Sequence, residues 1–283
     1  MAIKLVIDSA SDIDKIEADE KGIELVSMEV RFEDEVYLDG VNLSRKEFFE
    51  KLIESSALPK TSQINEYTFD EVFERLTKEG DEVIAITLSS KLSGTYNSAE
   101  RASRKYNGKV QVVDSLNACI GQRILCDYAL RLIKEGNLSA SEIVEQLNKK
   151  KKNIQLLGVL GTLKYLKKGG RISSVVAFTG EAFSIKPVIS IVSGEVKLVG
   201  KAIGSKKGNN LLNQLVEKCG GIDFEMPYCV GYSGLSDDVL KKYLEDSGNL
   251  WKSQTDSVPS FMIGSTIGTH IGPGGIAVAF FSK

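Results

Sequence analysis

A strand that passes directly into a helix constrains the fold of this chain more than any other feature. Residues 83–88 form an apolar run whose length and β-branched content predict a buried strand. A helical pattern begins at Gly94 and continues to about Tyr106. Residues 89–99, SSKLSGTYNSA, follow the strand and run into the helix. They include five hydroxyl residues: Ser89, Ser90, Ser93, Thr95 and Ser98. The succession of strand, polar turn and helix indicates an α/β fold.

This polar turn is a candidate anion site with Ser93 at its centre. Ligands of α/β sheets bind beyond the carboxyl ends of the strands, and the first turn of a helix offers unpaired N–H groups and a partial positive charge. Serine and threonine are also good helix N-caps, so a purely structural role is the alternative. Two hydroxyls would suffice to cap one helix, and five exceed that need.

The first half of the chain repeats this alternation. Strands are predicted at residues 3–7, 83–88 and 109–113, and a half-buried strand at 23–32. Helices are predicted at residues 13–20, 66–79 and 118–134, and capping boxes at Ser44/Glu47 and Ser139/Glu142 open two more. Residues 58–65 are expected to form a loop because of Pro59. This pattern predicts a parallel sheet covered by helices, which residues 154–160 are expected to continue.

The pattern of the second half is mixed. A short amphipathic helix from residue 163 should stop at a glycine pair. Residues 187–192 and 195–203 predict a hairpin whose two-residue turn is Ser193-Gly194. Helix, strand and helix patterns follow, and residues 276–281 predict a last strand. We therefore predict an α/β fold of two domains: a parallel, Rossmann-like domain at residues 1–160 and a mixed α+β domain at 161–283.

The segment GSTIGTHIGPGG, at residues 264–275, holds five glycines and the only histidine, His270. Its glycines permit positive φ angles and a close backbone approach, so we expect a loop. A lone histidine is usually structural. In a glycine loop it has no helical face on which to pack, so a binding role for His270 is equally consistent with the sequence.

Composition excludes several classes of function. A net charge of −2 provides no basic surface for nucleic acid. No apolar run is long enough to span a membrane, and the first residues lack the features of a signal peptide. The four cysteines form no C-x-x-C pair, which indicates reduced thiols in a cytoplasmic protein. One histidine and no cysteine pair make a metal site unexpected.

Three polar clusters are candidates to converge in the fold: Thr61-Ser62, the turn around Ser93, and Thr269-His270. A serine hydrolase would use Ser93, His270 and an acid, but the G-x-S-x-G motif is absent and no acid is tied to His270 by sequence. Nucleotide-binding glycine motifs are absent as well. Hydroxyls with one imidazole suit binding of a carboxylate better than bond cleavage. The hydrolase and a purely structural role remain alternatives.

The chain resembles the DegV family of bacterial fatty-acid-binding proteins over its whole length. The resemblance rests on several motifs that occur here in the family's order: Asp8-Ser9, PKTSQ at residues 59–63, SSKLSGTYNSA at 89–99, Asp114-Ser115, GGRIS at 169–173, Lys186-Pro187 and GTHIGPG at 268–274. The resemblance implies two α/β domains with a long-chain fatty acid, such as palmitate, stearate or oleate, between them.

The family pattern also implies roles for individual residues. Thr61 and Ser93 would hydrogen-bond the fatty-acid carboxylate, and His270 would lie close to it. The supporting head-group residues would be Ser62, Gly94, Thr95 and Thr269. Arg171 would lie near the mouth and contact a kinase or a phosphate, although an exposed, solubilising arginine is an equally good interpretation. Phe183, Ile185 and residues 261–263 are apolar candidates for the wall of the tunnel, or simply for the core.

The resemblance further implies a role without catalytic machinery, metal or cofactor. The protein would present the carboxylate to a separate ATP-dependent fatty acid kinase, which forms acyl phosphate for phospholipid synthesis. It would not bind nucleic acid or insert stably into a membrane. Two positions depart from the family pattern: Ile64-Asn65 replace the usual proline after the Thr-Ser-Gln triplet, and residues 203–205 lack a frequent arginine. Lys206 or Lys207 would then have to supply that charge, as a point charge rather than a planar fork.

Overall fold

The protein is described by a computed structural model that covers residues 2–78, 80–172, 185–252, 255 and 257–283. Its strands are β1 (Ile3–Asp8), β2 (Glu24–Val26), β3 (Glu29–Phe32), β4 (Glu35–Leu38), β5 (Lys60–Ser62), β6 (Glu82–Thr87), β7 (Val110–Asp114), β8 (Ile154–Val159), β9 (Ile185–Val192), β10 (Glu195–Ile203), β11 (Cys229–Tyr232), β12 (Ser260–Met262) and β13 (Ile276–Phe281). Its helices are α1 (Lys15–Lys21), α2 (Arg45–Glu54), α3 (Glu66–Lys78), α4 (Thr95–Ser103), α5 (Cys119–Glu135), α6 (Ala140–Lys150), α7 (Lys164–Lys168), α8 (Ser205–Lys218), α9 (Asp238–Asp246), α10 (Gly248–Trp251) and α11 (Ser265–Ile271).

The first sheet is parallel, as predicted. Its strand order is β2-β1-β6-β7, and every neighbouring pair runs parallel. The apolar runs of β1 and β6 are buried because helices pack on the sheet. Both predicted capping boxes are present, at Ser44/Glu47 and Ser139/Glu142. The carboxyl ends of β1, β6 and β7 therefore form one edge, beyond which the polar turns lie.

The second sheet is mixed, as predicted, but it begins earlier than expected. Its order is β10-β9-β8-β13-β11-β12, antiparallel except for the pair β11–β12. Residues 154–160 were expected to extend the parallel sheet, and this prediction is wrong. Residues 154–159 form β8, which pairs antiparallel with β13 and β9. A buried apolar run predicts a strand but does not say which sheet receives it. The division of the chain at residue 160 stays a prediction.

The predicted hairpin is present and joins the two sheets. Ser193 and Gly194 have φ angles of 51° and 86°, and positive φ at both central residues is typical of the two-residue turn that matches strand twist. The carbonyl oxygen of Gly194 accepts a hydrogen bond of 2.8 Å from Ser89 Oγ, in the loop after β6. The turn of the second sheet is thus tied to the carboxyl edge of the first.

Two local predictions are wrong in the first half of the chain. Residues 23–32 do not form one strand, because β2 joins the parallel sheet and β3 joins a separate three-stranded sheet of order β4-β3-β5. Residues 60–62, expected in a loop, form β5 and place Thr61 opposite Val30 on β3. Pairing with β3 makes this short segment extended despite the preceding Pro59.

The glycine-rich segment is also not the expected loop, because residues 265–271 form helix α11. Its N-terminus is held by two buried carboxylates. Asp39 accepts from the backbone N–H groups of Ser265 at 3.0 Å and Thr266 at 3.1 Å, and Asp12 accepts from Gly264 at 2.8 Å. Gly268 allows close packing, since a Cβ there would lie 2.4 Å from Cε1 of Phe48. Gly268 therefore serves the close packing of a helix, and His270 is a residue of that helix, α11.

Replacement of Gly268 by alanine is expected to lower the free energy of unfolding by about 1–3 kcal/mol, because the added methyl overlaps the ring of Phe48 in a closely packed core. Chemical denaturation measures the change. Gly248→Ala is a suitable control, since its Cβ would meet only the flexible side chain of Lys252. Equal stability of the two variants would contradict the packing role of Gly268.

Candidate functional site

An apolar cavity of about 310 Å³ lies between the loops at the edge of the first sheet and the face of the second. The first side contributes residues such as Met28, Leu88 and Ala118, and the second side residues such as Leu156, Ile189 and Ala277. Further apolar wall residues are Leu92, Cys119, Leu160, Leu166, Ile191, Val196, Ile263, Ile267 and Ile271. A cavity with a mostly apolar wall and few polar groups is typical of a small-molecule site.

The predicted head-group residues converge on this cavity from separate parts of the chain. Thr61 comes from β5, Ser93 from the turn before α4, His270 from the last turn of α11, and Arg171 from the segment after α7. Ser62 and Gly94 also line the cavity, as does Gln63, which the sequence analysis missed. Its position beside Thr61-Ser62 and its place at the end of the PKTSQ motif were the signals that could have indicated it. The polar end of the cavity is therefore assembled from four segments.

Ser93 is the hydroxyl of its turn that lines the cavity. Its Oγ lies 3.0 Å from Oγ1 of Thr95, and the backbone N–H of Thr95 donates to it at 3.3 Å. Thr95 is buried and accepts a bond of 3.2 Å from the N–H of Ile64. Thr95 therefore holds Ser93 and the segment after β5 in place without lining the cavity itself.

The hydroxyls of Ser89 and Ser98 have structural roles, whereas Ser90 contributes its backbone N–H. Ser89 donates to Gly194, as described above, and Ser98 is buried in α4, where its Oγ accepts from Arg101 at 3.4 Å. The backbone N–H of Ser90 donates to Asp114 Oδ1 at 3.2 Å. The excess of hydroxyls over the needs of one N-cap thus reflects the tethering of neighbouring loops as well as the cavity wall.

His270 is held by one hydrogen bond and kept neutral by its surroundings. Its Nε2 lies 3.0 Å from Oγ1 of Thr61. Its Nδ1 is buried without a partner in the described part of the chain and faces Gly169, where a Cβ would lie only 2.4 Å away. Burial, and next the positive charge of Arg171, lower the pKa of His270 to about 4. Among the described residues that line the cavity there is no aspartate or glutamate to orient this imidazole.

The lowered pKa of His270 predicts a loss of stability in acid. The folded state binds the proton less well than the unfolded state, whose histidine pKa is about 6.5, so stability contributed by neutral His270 is full above that value and is lost as the pH falls towards 4. We expect wild type to lose up to about 3 kcal/mol more than His270→Asn between pH 7 and pH 4. Urea denaturation at both pH values measures the difference.

The comparison with His270→Asn isolates the histidine from other buried groups. Burial raises the pKa of Asp8 to about 7 and that of Asp12 to about 6. Both carboxyls favour the folded state at low pH, which is the opposite sign, but both are retained in the variant. Parallel pH profiles of the two proteins would contradict a buried, neutral imidazole.

Of the two predicted kinase or phosphate contacts, Arg171 lines the cavity and Lys206 does not. The exposed Arg171 donates to the carbonyl oxygens of Gly169 and, at 3.4 Å, Leu92, and it lines the cavity. Lys206 is exposed in the first turn of α8 and does not line the cavity.

The buried Thr269 donates to the carbonyl oxygen of Ser265 at 2.9 Å, so its hydroxyl supports α11.

The apolar wall was the least predictable part of the site. Ile263 lines the cavity, whereas Phe261 packs 3.4 Å from the guanidinium of buried Arg123. Ile185 and Met262 are not wall residues, and Phe183 lies outside the described residues. The wall also contains Ser190 and Thr266, two hydroxyls that the sequence did not single out.

A second, more open pocket of about 430 Å³ adjoins the cavity at its polar end. The two share Thr61, Arg171 and His270, and the outer pocket adds Lys60 and Lys168 to its wall. The outer pocket is therefore basic. Within the described residues no group of three or more histidine, cysteine, aspartate or glutamate side chains is arranged to hold a metal ion. No helix in the same part of the chain is long and apolar enough to cross a membrane.

The chain is similar to known proteins over its full length. A family model described as "Uncharacterised protein, DegV family" matches residues 2–283. A DegV domain-containing protein of Caldanaerobacter subterraneus is 33% identical over 285 residues, which cover 99% of each chain. One of Clostridium perfringens is 33% identical over 283 residues, covering 96% of this chain and 95% of that protein.

Solved structures of similar proteins have the same fold. A fatty-acid-binding DegV family protein from Thermus thermophilus superimposes with a TM-score of 0.87 at 28% identity, covering 100% of both chains. DegV of Bacillus subtilis, described as a fatty acid binding protein, gives 0.83 at 28% identity over 100% of both. A stearic-acid-binding protein from Eubacterium ventriosum gives 0.85 at 27% identity, with 99% of this chain and 97% of that one covered.

Proposed function

The chain belongs to the DegV family, and on that premise we propose that it binds a long-chain fatty acid. The acyl chain occupies the apolar cavity, and the carboxylate lies at Thr61, Ser93 and His270. One observation carries the proposal: an apolar cavity is lined at one end by hydroxyl and imidazole groups that arrive from three separate segments. Relatives of the same fold are described as binding fatty acids, stearic acid among them.

The energetics of the cavity suit such a ligand. Burial of each CH₂ group contributes about 0.8 kcal/mol, so a chain of about 16 carbons gains on the order of 10 kcal/mol. A buried carboxylate without partners would cost several kcal/mol. Hydroxyl donors and the N-terminal N–H groups of α4 offset this cost. The acyl chain thus supplies affinity, and the polar end supplies orientation.

We further propose that the protein presents the carboxylate to a separate, ATP-dependent fatty acid kinase in the cytoplasm, which forms acyl phosphate for phospholipid synthesis. The basic outer pocket supports this role, because Lys60, Lys168 and Arg171 surround the open side of the Thr61–His270 pair. A phosphoryl group approaching the carboxylate from outside would meet these cations. Lys206 lies apart from this pocket, so a kinase contact there would be a separate part of the docking surface.

Hydrolysis by Ser93 and His270 is the less favoured function. Ser93 is bonded to Thr95 and His270 to Thr61, so nucleophile and base are not paired. Nδ1 of His270, which has no partner among the described residues, faces Gly169, where a triad would place a carboxylate. Release of chromophore from an acyl ester in a burst that Ser93→Ala abolishes would nevertheless establish a hydrolase.

Denaturing extraction of the purified protein, followed by mass spectrometry, tests the proposed function. We expect about one equivalent of a long-chain fatty acid per chain, or uptake of one equivalent of added hexadecanoate or oleate after lipid removal. A protein that yields no fatty acid and takes up neither acid would overturn the proposal. Phosphorylation of the bound acid by a purified fatty acid kinase, with the free acid as the control, tests the second step.

A further inference from the structure

The side-chain amide of Gln63 lies directly over Gly94 at the polar end of the cavity. Gln63 follows β5, and both residues line the cavity. A Cβ built on Gly94 would lie 2.1 Å from Oε1 of Gln63 and 2.8 Å from its Cδ. The amide therefore occupies the space that any other residue at this position would need for its side chain. Because Gly94 directly follows Ser93, the amide lies beside a hydroxyl of the head-group site.

The backbone does not require a glycine at residue 94. Gly94 has a φ of −73°, and the conformational freedom of glycine matters only at positive φ. Gly169 is a second glycine of this kind, since its φ is −75° and a Cβ there would lie 2.4 Å from Nδ1 of His270. Two glycines at the polar end thus make room for polar side chains, one for the imidazole and one for the Gln63 amide. The amide, like the imidazole, has a defined place in the site.

The hydrogens available to a bound carboxylate show what this amide could add. An ionised carboxylate accepts at about four lone-pair positions. Thr61 and the neutral His270 share one hydrogen bond, so this pair leaves at most one hydrogen for a ligand. The hydroxyl of Ser93, which lies 3.0 Å from Oγ1 of Thr95, offers at most one more. The three side chains assigned to the carboxylate therefore leave some of its lone pairs without a donor.

Gln63 has donors to spare. Its amide carries two N–H hydrogens, and neither is used in a hydrogen bond within the described part of the chain. Rotation about the last side-chain bond exchanges Oε1 with Nε2, so the amide can turn its N–H groups towards a ligand. Gln63 is exposed and does not line the basic outer pocket, whereas Thr61 and His270 do. A bond from the amide to the carboxylate would thus leave the outer pocket free for a phosphoryl group.

We propose that the side-chain amide of Gln63 is a further head-group ligand, which donates a hydrogen bond to the carboxylate of the bound fatty acid beside Ser93. This inference rests on the proposed function, because it takes the carboxylate to lie at Thr61, Ser93 and His270. A hydrogen bond to an ionised acceptor is about twice as strong as one to a neutral acceptor. Gln63 therefore favours the ionised acid over a neutral lipid of the same chain length.

Titration calorimetry of the lipid-free protein with hexadecanoate tests this role. Gln63→Met keeps the length of the side chain and removes both N–H hydrogens, so it should weaken binding about 5- to 10-fold. Gln63→Glu keeps the shape and places a second negative charge beside the carboxylate, so it should weaken binding by about 30-fold. Affinity for hexadecan-1-ol, which carries no charge, should change less than about 2-fold. Thermal unfolding of the lipid-free variants should match wild type.

Gln214→Glu is the matched control. Gln214 is exposed on α8 and does not line the cavity, so this variant adds the same charge and should bind hexadecanoate as wild type does. Wild-type affinity in both Gln63 variants would overturn the role of Gln63 while leaving fatty acid binding intact. An equal loss of affinity for the acid and the alcohol would also overturn it, since the substitution would then act on the shape of the site. Failure of wild type to bind hexadecanoate would overturn the proposed function, and this inference with it.

Discussion

A variant that carries both Thr61→Val and Ser93→Ala is expected to bind hexadecanoate about 100-fold more weakly than wild type. Hydrogen bonds to a charged group contribute about 1.5–3 kcal/mol each, and loss of two of them from a buried carboxylate exceeds the roughly 3 kcal/mol that this factor requires. Both side chains line the polar end of the cavity. The apolar wall is unchanged, so the variant should still bind, and calorimetric titration measures the remaining affinity.

A matched variant separates the head-group effect from general damage. Ser103→Ala removes a hydroxyl at the other end of α4, where its one hydrogen bond within the described part of the chain is to the carbonyl oxygen of Glu100. It should leave affinity at the wild-type value. Each single variant, Thr61→Val or Ser93→Ala, should lie between wild type and the double variant. If the double variant binds as tightly as wild type, the carboxylate lies elsewhere.

Replacement of Asp39 by alanine is expected to destabilise the protein by about 3 kcal/mol and to weaken fatty acid binding as well. The carboxylate is 3% exposed and accepts from the backbone N–H groups of Ser265 and Thr266 and from the hydroxyl of Ser265. Its removal leaves buried donors unpaired and frees the N-terminus of the helix that carries His270. Urea denaturation measures the stability, and titration of hexadecanoate measures the affinity.

Ser44→Ala is the reference variant with which the loss of stability in Asp39→Ala is compared. Ser44 caps α2 in an exposed capping box, and its loss should cost only about 1 kcal/mol, without effect on affinity. Asp39→Asn retains one acceptor and should fall between the two. A loss at Asp39→Ala no larger than at Ser44→Ala would show that α11 is held by its packing alone.

Local chemistry could be predicted from the sequence, whereas partners distant in the chain could not. The capping boxes and the Ser193-Gly194 turn depend on neighbouring residues, and the structure confirms both. The strand predicted at residues 154–160 is present as β8, but its sheet depends on β13, more than a hundred residues later. His270 was misplaced for the same reason. The helix around it is held by Asp12 and Asp39, which no local pattern connects with α11.

In the candidate site, the residues in sequence motifs were predictable and the other residues of the cavity wall were not. Motifs pointed to Thr61, Ser93 and His270, and the structure brings all three to one cavity. The wall residues were not predictable, because an apolar side chain in a strand has the same pattern whether it faces a cavity or a filled core. Thr266 carried no signal either, since only the fold places this residue in the cavity wall.

The place of β13 in the second sheet has a consequence for how the molecule is made. This strand, the last in the described sequence, lies at the centre of its sheet between β8 and β11. One neighbour of β8, the strand β9, follows soon after it in the chain, whereas the other, β13, is synthesised only after more than a hundred further residues. Such long-range pairing is slow and leaves strand edges exposed to other chains. Ala277 of β13 also lines the cavity, so the cavity is complete only after this strand has paired. A nascent chain that lacks β13 therefore has no complete binding cavity.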